Sequence, residues 1–197
     1  MKIAIIKYNA GNIQSVKFAL NRIGIEPMVT DNIADIQSAD KVIFPGVGEA
    51  SGAMNYLKEN NLDTVIKQLT QPVLGICLGM QLLCKHSEEG NTDCLNIFES
   101  TVKKFSFTNS PELKVPQIGW NTVSGLKTNL FSKIKEKEYM YFVHGYYAEL
   151  CSNTIAETEY GFNYSSALNK NNFYGVQFHP EKSADAGQTL LENFIKL

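Results

Sequence analysis

Cys77 stands in the run GICLGMQLL (75–83), with a glycine two residues before it and another two residues after. That is the G-x-Nuc-x-G spacing of a nucleophile elbow, in which a strand ends on a strained turn and small neighbours avoid backbone collision. A helix opening just after the cysteine presents unpaired N–H groups and a positive dipole end, which favour thiolate over thiol. The N–H of Leu78 is then placed to stabilise an oxyanion on an attacked carbonyl. Taken alone, the pattern also fits a buried structural cysteine at a Gly-rich strand–helix turn. Cys84, within the apolar QLLC run, reads as core packing, and Cys94 and Cys151 carry no flanking chemistry.

A thiolate nucleophile needs a base, and the chain offers three histidines. His86, in the polar KHSEEG, reads as a solvated surface residue. His144, inside the aromatic YFVHGYY, fits either a satisfied core histidine or a pocket wall. His179 ends the apolar strand YGVQFHPEKS with Glu181 two residues on. Period-2 geometry points His179 and Glu181 the same way, and Pro180 stiffens the strand end between them. A carboxylate beside a histidine fixes its tautomer and supports the imidazolium that forms in turnover. The alternative is a strand-end salt bridge. Residues 45–48, PGVG, follow the apolar KVIF; their glycines let the backbone turn its amides toward a ligand, or simply make a tight turn.

The elements that must position these residues follow from periodicity. KIAIIKY (2–8), PMVT (27–30), KVIFPG (41–46) and QPVLGIC (71–77) read as buried strands. Between them come a turn at 9–12, an amphipathic helix over IQSVKFALNRIG with Gly24 as its C-cap, and a helix over about 50–70; MQLLCKH is helical again. Strands alternating with helix-length segments imply parallel β-α-β units with helices on both faces. From about residue 95, short β-rich runs predict antiparallel strands appended to that sheet, closed by a helix over about 184–196. The expected fold is α/β, a mixed, mostly parallel sheet flanked by helices with antiparallel strands appended, in one domain spanning 1–197.

Composition narrows the function classes. A formal charge of −2 over 197 residues gives no global pull toward nucleic acid or acidic membranes. No run approaches the roughly 20 apolar residues that span a bilayer, and the N-terminal apolar run reads as a strand rather than a signal peptide. Four cysteines without C-x-x-C or zinc-type spacing imply neither disulfides nor a metal, and no cofactor motif is present. A cytoplasmic, reduced protein is the expected setting.

Three pieces carry a resemblance: the elbow cysteine, PGVG, and the late H-P-E. With them the chain resembles the class I (triad-type) glutamine amidotransferases, which have the order Cys…His…Glu and the signatures G-x-C-x-G-x-Q and H-P-E. Within that family it is most similar to the glutaminase subunits of the histidine-biosynthetic branch. YNAGNIQSV (8–16), PGVG, GICLGMQLL, KVPQIGWN (114–121), YFVHGYY (141–147) and FHPEKS (178–183) carry the likeness across essentially the whole chain. Met80 and the P-x-x-G-W-N segment separate this branch from the amidotransferases of anthranilate or pyridoxal phosphate synthesis. The late H-P-E separates it from elbow-cysteine peptidases.

The resemblance implies that Cys77 attacks the side-chain carboxamide of glutamine, with His179 and Glu181 completing the triad. It implies an oxyanion site from Gly46, Val47 and Leu78, whose PGVG peptide flips before a donor faces the site. It implies glutamine contacts from Gln81, Glu89, His144, Gly145 and Tyr146, and a partner interface at Asn12, Trp120 and Lys182. The implied partner is a separate (β/α)8 cyclase subunit in a heterodimer, which takes up the ammonia and switches the glutaminase on when loaded with its ribotide. The chain departs from the family pattern at Gly145, where serine is usual, and at Lys7 and Asn9, in place of D-Y-G.

Overall fold

The computed structural model describes residues 1–9, 12–107 and 112–197. In chain order the elements are β1 (Ile3–Ile6), α1 (Ile13–Arg22), β2 (Met28–Thr30), α2 (Ile33–Ser38), β3 (Lys41–Gly46), α3 (Ala50–Glu59), α4 (Leu62–Lys67), β4 (Val73–Cys77) and α5 (Leu78–Leu83). They continue as β5 (His86–Ser87), β6 (Thr92–Asp93), β7 (Thr101–Lys104), β8 (Gln117–Val123), β9 (Glu138–His144), β10 (Tyr146–Ala148), β11 (Thr154–Glu159), β12 (Asn163–Lys170), β13 (Phe173–Val176) and α6 (Ala184–Lys196).

The strands β2-β1-β3-β4-β13 run parallel, and β12 joins β13 antiparallel to carry β11, β10, β7, β5 and β6 on the far side. Period-2 alternation explains why the central strands are apolar throughout. Ile3, Ile5, Ile43, Leu74 and Ile76 pack against Val16 and Leu20 of α1 and Leu190 and Phe194 of α6. Ala4, Ile6, Val42, Phe44 and Val73 pack on the other face against Met54, Leu57, Ile66 and Leu82 from α3, α4 and α5. A parallel sheet covered on both faces needs strands without a polar side. Gly24, just past α1, takes φ +79° and donates to the Asn21 carbonyl, as its C-cap role requires.

The structure corrects the expected elements at several points. The helix expected over 50–70 is two helices, because Asn61 adopts the left-handed region at φ +57° and ends the run. The helix expected over MQLLCKH begins at Leu78, immediately after the cysteine, and stops at Leu83, with His86 on a strand. The short α2 has too few residues for a periodic pattern; its one signal is Asn32, whose side chain accepts from the Asp35 N–H at 3.1 Å. The late strands do not all join the main sheet, since β8 and β9 form their own antiparallel ladder. The turn expected at 9–12 lies partly outside the described residues.

What the topology achieves is a convergence. β3, β4 and β13 are neighbours, with Gly46 paired to Cys77 and Ile76 paired to Val176. Their C-terminal ends carry PGVG, the elbow cysteine and the H-P-E run, so three motifs far apart in sequence meet at one edge. Ligands of open α/β sheets bind at such carboxyl ends.

Candidate active site

At that edge lies a cleft of about 470 Å³ lined by Cys77, His179, Leu78, Gln81, Glu89 and His144, among others. Cys77 takes φ +54°, a backbone conformation L residues rarely adopt, and Leu78 starts α5 directly after it. The flanking glycines have separate reasons. A Cβ at Gly79 would overlap the Phe44 carbonyl oxygen of β3, and one at Gly75 would sit 2.8 Å from the Met80 nitrogen. The strained cysteine and its crowded neighbours together give the geometry of an elbow, not an ordinary turn.

His179 and Glu181 pair through Nδ1 and Oε1 at 2.7 Å, deep in the protein. The expected period-2 strand geometry is not the cause. β13 ends at Val176, and Pro180–Lys182 form a short 3-10 turn that folds the carboxylate back onto the ring. Proline at the first position of that turn has no N–H to lose. The turn is tied to β9, since the His179 N–H donates to the Tyr141 carbonyl and the Ser183 hydroxyl accepts from the Tyr141 N–H, both at 2.9 Å. With Nδ1 engaged, Nε2 is left for Cys77. Burial alone would lower the His179 pKa, but hydrogen bonds to Cys77 and Glu181, with their charges, outweigh it and push it up to about 10. His179 is therefore a cation at neutral pH.

His144 is tuned the other way. Its Nδ1 donates to the Tyr146 carbonyl at 2.6 Å and its Nε2 faces the Tyr164 hydroxyl at 3.2 Å. Burial, reinforced by the charge of His179 and partly offset by the Tyr146 bond, lowers its pKa to about 4. It is both a satisfied core histidine and a pocket wall, and it stays neutral. His86 pairs with Asp93 at 3.0 Å, away from the cleft.

The other expected site residues divide. Val47 and Leu78 line the cleft. Gly46 does not line it; it is buried, and the space a Cβ would take holds the Tyr8 hydroxyl. That hydroxyl is buried with no hydrogen-bond partner among the described residues, and burial, then the nearby charge of Cys77, raises the phenol pKa far above its usual range. Gln81 donates to the Tyr146 carbonyl at 3.0 Å. Glu89 accepts from the Ala50 N–H at 2.9 Å, and its pKa is raised, chiefly by burial. Gly145 and Tyr146 line the cleft, and a Cβ at Gly145 would find only ordinary contacts with Val115 and Pro116, so a serine there has room.

Asn12 and Lys182, expected at an interface, also line the cleft. Asn12 donates its amide to Glu181 Oε1, which explains why it leaves the N-terminus of α1 without a side-chain cap. Trp120 is half-exposed on β8, outside the cleft, against Tyr141. Sequence reasoning missed Gln177, which is fully buried and donates to the Cys77 sulfur at 3.7 Å. Its signal was available, two residues before His179 in VQFHPE.

The site and fold define a class, and comparisons agree with it. Residues 4–197 match the family described as glutamine amidotransferase class-I, and the chain belongs to that family. It is 56% identical over 197 residues to the imidazole glycerol phosphate synthase subunit HisH of Bacteroides fragilis, covering all of both chains. It is 47% identical to the protein of the same name from Blochmanniella pennsylvanica, again covering all of both. Among solved structures, one titled glutamine amidotransferase superposes with a TM-score of 0.76 at 16% identity, over 100% of this chain and 98% of that one. A glutamine amidotransferase from Thermotoga maritima matches with TM-score 0.67 at 17% identity, covering 100% and 83%. These two bear on the fold. No helix among the described residues is long and apolar enough to cross a membrane.

Proposed function

We propose that this chain is the glutaminase subunit of a cytoplasmic imidazole glycerol phosphate synthase, releasing ammonia for a (β/α)8 cyclase partner. The observation that carries the chemistry is the pairing of a strained Cys77 with a buried, cationic His179 held by Glu181. The Cys77 thiolate attacks the side-chain carboxamide carbon of glutamine, and negative charge develops on the carbonyl oxygen. Leu78 opens α5, so its N–H has no partner within the helix and is the donor assigned to that oxygen once the paired Gly46 peptide turns away from it. The C–N bond breaks as His179 gives its Nε2 proton to the departing ammonia. A glutamyl thioester remains on Cys77. Neutral His179 then takes a proton from water, the hydroxide adds to the thioester, and glutamate leaves as the thiolate–imidazolium pair returns. Glu181 keeps the Nδ1 proton in place throughout, and Asn12 holds Glu181.

Two features support a partner. Free ammonia is protonated in neutral water and ceases to be a nucleophile, so a biosynthetic glutaminase must hand it on sheltered. The outer face of the β8–β9 ladder also exposes Ile118, Trp120 and Tyr139, at 63%, 52% and 57%. The inner face of the same ladder carries His144 into the cleft, so a protein docked outside would press on an element that walls the site. The test is ammonia release from glutamine by the full chain, with and without the cyclase loaded with its ribotide. Activation of about a hundredfold or more is expected, equivalent to roughly 3 kcal/mol of coupling. Robust turnover unchanged by the cyclase would refute the partnership while leaving the glutaminase chemistry intact.

A further inference from the structure

The mechanism above leaves one buried group unused. Gln177 follows β13 opposite Cys77, is fully enclosed, and bridges the nucleophile to Gln81. The orientation of its carboxamide is pinned from a distance. The Tyr146 carbonyl can only accept, so the end of Gln81 that meets it at 3.0 Å must be the amide nitrogen. The same nitrogen reaches Gln177 at 2.9 Å, so Gln177 must present its oxygen there. What remains to face Cys77 is the Gln177 Nε2, at 3.7 Å from sulfur. The Gln177 backbone is fixed as well, with its N–H donating to the Ser166 carbonyl at 2.9 Å.

We infer that Gln177 is a positioning residue for the reaction: its amide donates to the Cys77 thiolate and links the state of the sulfur to Gln81 on the substrate wall. A buried N–H aimed at sulfur favours the thiolate over the thiol, because only the anion is a strong acceptor. When the sulfur carries its proton, it has the Val143 carbonyl to donate to at 3.8 Å. Among the described residues, the ionisable groups facing the sulfur are His179 and, from the segment after β1, the Tyr8 phenol, which burial holds protonated. Gln81 donates to Gln177 and Gln177 to the Cys77 sulfur, so each bond in the row polarises the next. A substrate group that draws on Gln81 therefore also acts on the nucleophile. The inference rests on Cys77 being the nucleophile.

The test is alkylation of Cys77 by iodoacetamide in the full chain, as a function of pH. Gln177→Met keeps the length of the side chain and removes the amide. At pH 7 its alkylation rate is expected to fall about tenfold, converging with the wild type at high pH, where every thiol is ionised. In the cyclase-activated protein, kcat is expected to fall by a similar factor with KM for glutamine little changed. A variant profile parallel to the wild type at every pH means altered access only and overturns the inference, as does an unchanged rate. If Gln177→Met does not fold, the wild type decides: the Gln177 side-chain amide resonances must shift as Cys77 titrates, and must not shift in Cys77→Ala. Resonances indifferent to the sulfur overturn the inference. Alkylation reads the sulfur without any substrate, so its outcome is separate from whether the chain is a glutaminase.

Discussion

Cys77→Ala is expected to lower glutamine hydrolysis by about ten-thousandfold or more while leaving glutamine binding and the fold in place. The size follows from the absence of a substitute. Cys84 is fully buried among apolar side chains, and burial pushes its thiol well above the usual range. Cys94 is buried beside Asp93 and pushed up to about 12, chiefly by burial. Cys151 does not line the cleft. Losing the sulfur also strands His179, whose charge at neutral pH depends on hydrogen bonds and charge from both Cys77 and Glu181. The variant is to be assayed for ammonia release with the cyclase present and for glutamine binding by calorimetry. Substantial turnover would place the nucleophile elsewhere.

Gly79→Ala is expected to lower thermal stability by about 3 kcal/mol, or roughly 6–12 °C in a chain of this size, and to abolish activity with it. Nothing in the Gly79 backbone forbids alanine, since its φ is not in the left-handed region. The cost is purely steric. The Phe44 carbonyl occupies the place a Cβ would need, so α5 could accept it only by lifting away from β3. That movement would carry Leu78 and Cys77 with it. Gly52→Ala is the control, also in a helix, with its nearest neighbour 3.5 Å from the added carbon; thermal melts should show it unchanged or slightly more stable. Equal melts for the two variants would mean that the elbow is not held by close helix–strand contact.

Much of the site could be read from the sequence because its logic is local. The glycines of G-x-C-x-G and the H-P-E run report backbone requirements at fixed offsets, and those requirements survive without knowledge of the fold. The parallel half was legible for a related reason: strands buried on both faces are apolar throughout, and they alternate with helix-length segments. What escaped was set by contacts between distant residues. Asn12 has no local mark of its bond to Glu181, which lies across the structure on another element. Gln177 looks like a polar residue at a strand end until the Gln81 amide is seen beside it. Glu181 reached His179 as expected but by a 3-10 turn instead of an extended strand, since period-2 reasoning ignores what proline does to the next residues. The separation of the β8–β9 ladder depends on strand pairing, which periodicity does not encode.

Covalent catalysis by Cys77 is read out by the intact mass of the chain, quenched in acid while it turns over glutamine with the loaded cyclase. A fraction of chains heavier by one glutamyl group is predicted, with the addition mapping to the peptide containing Cys77 and missing from Cys77→Ala. Sustained glutamate production with no acyl-enzyme at any quench time, and none trapped by added hydroxylamine, would contradict it.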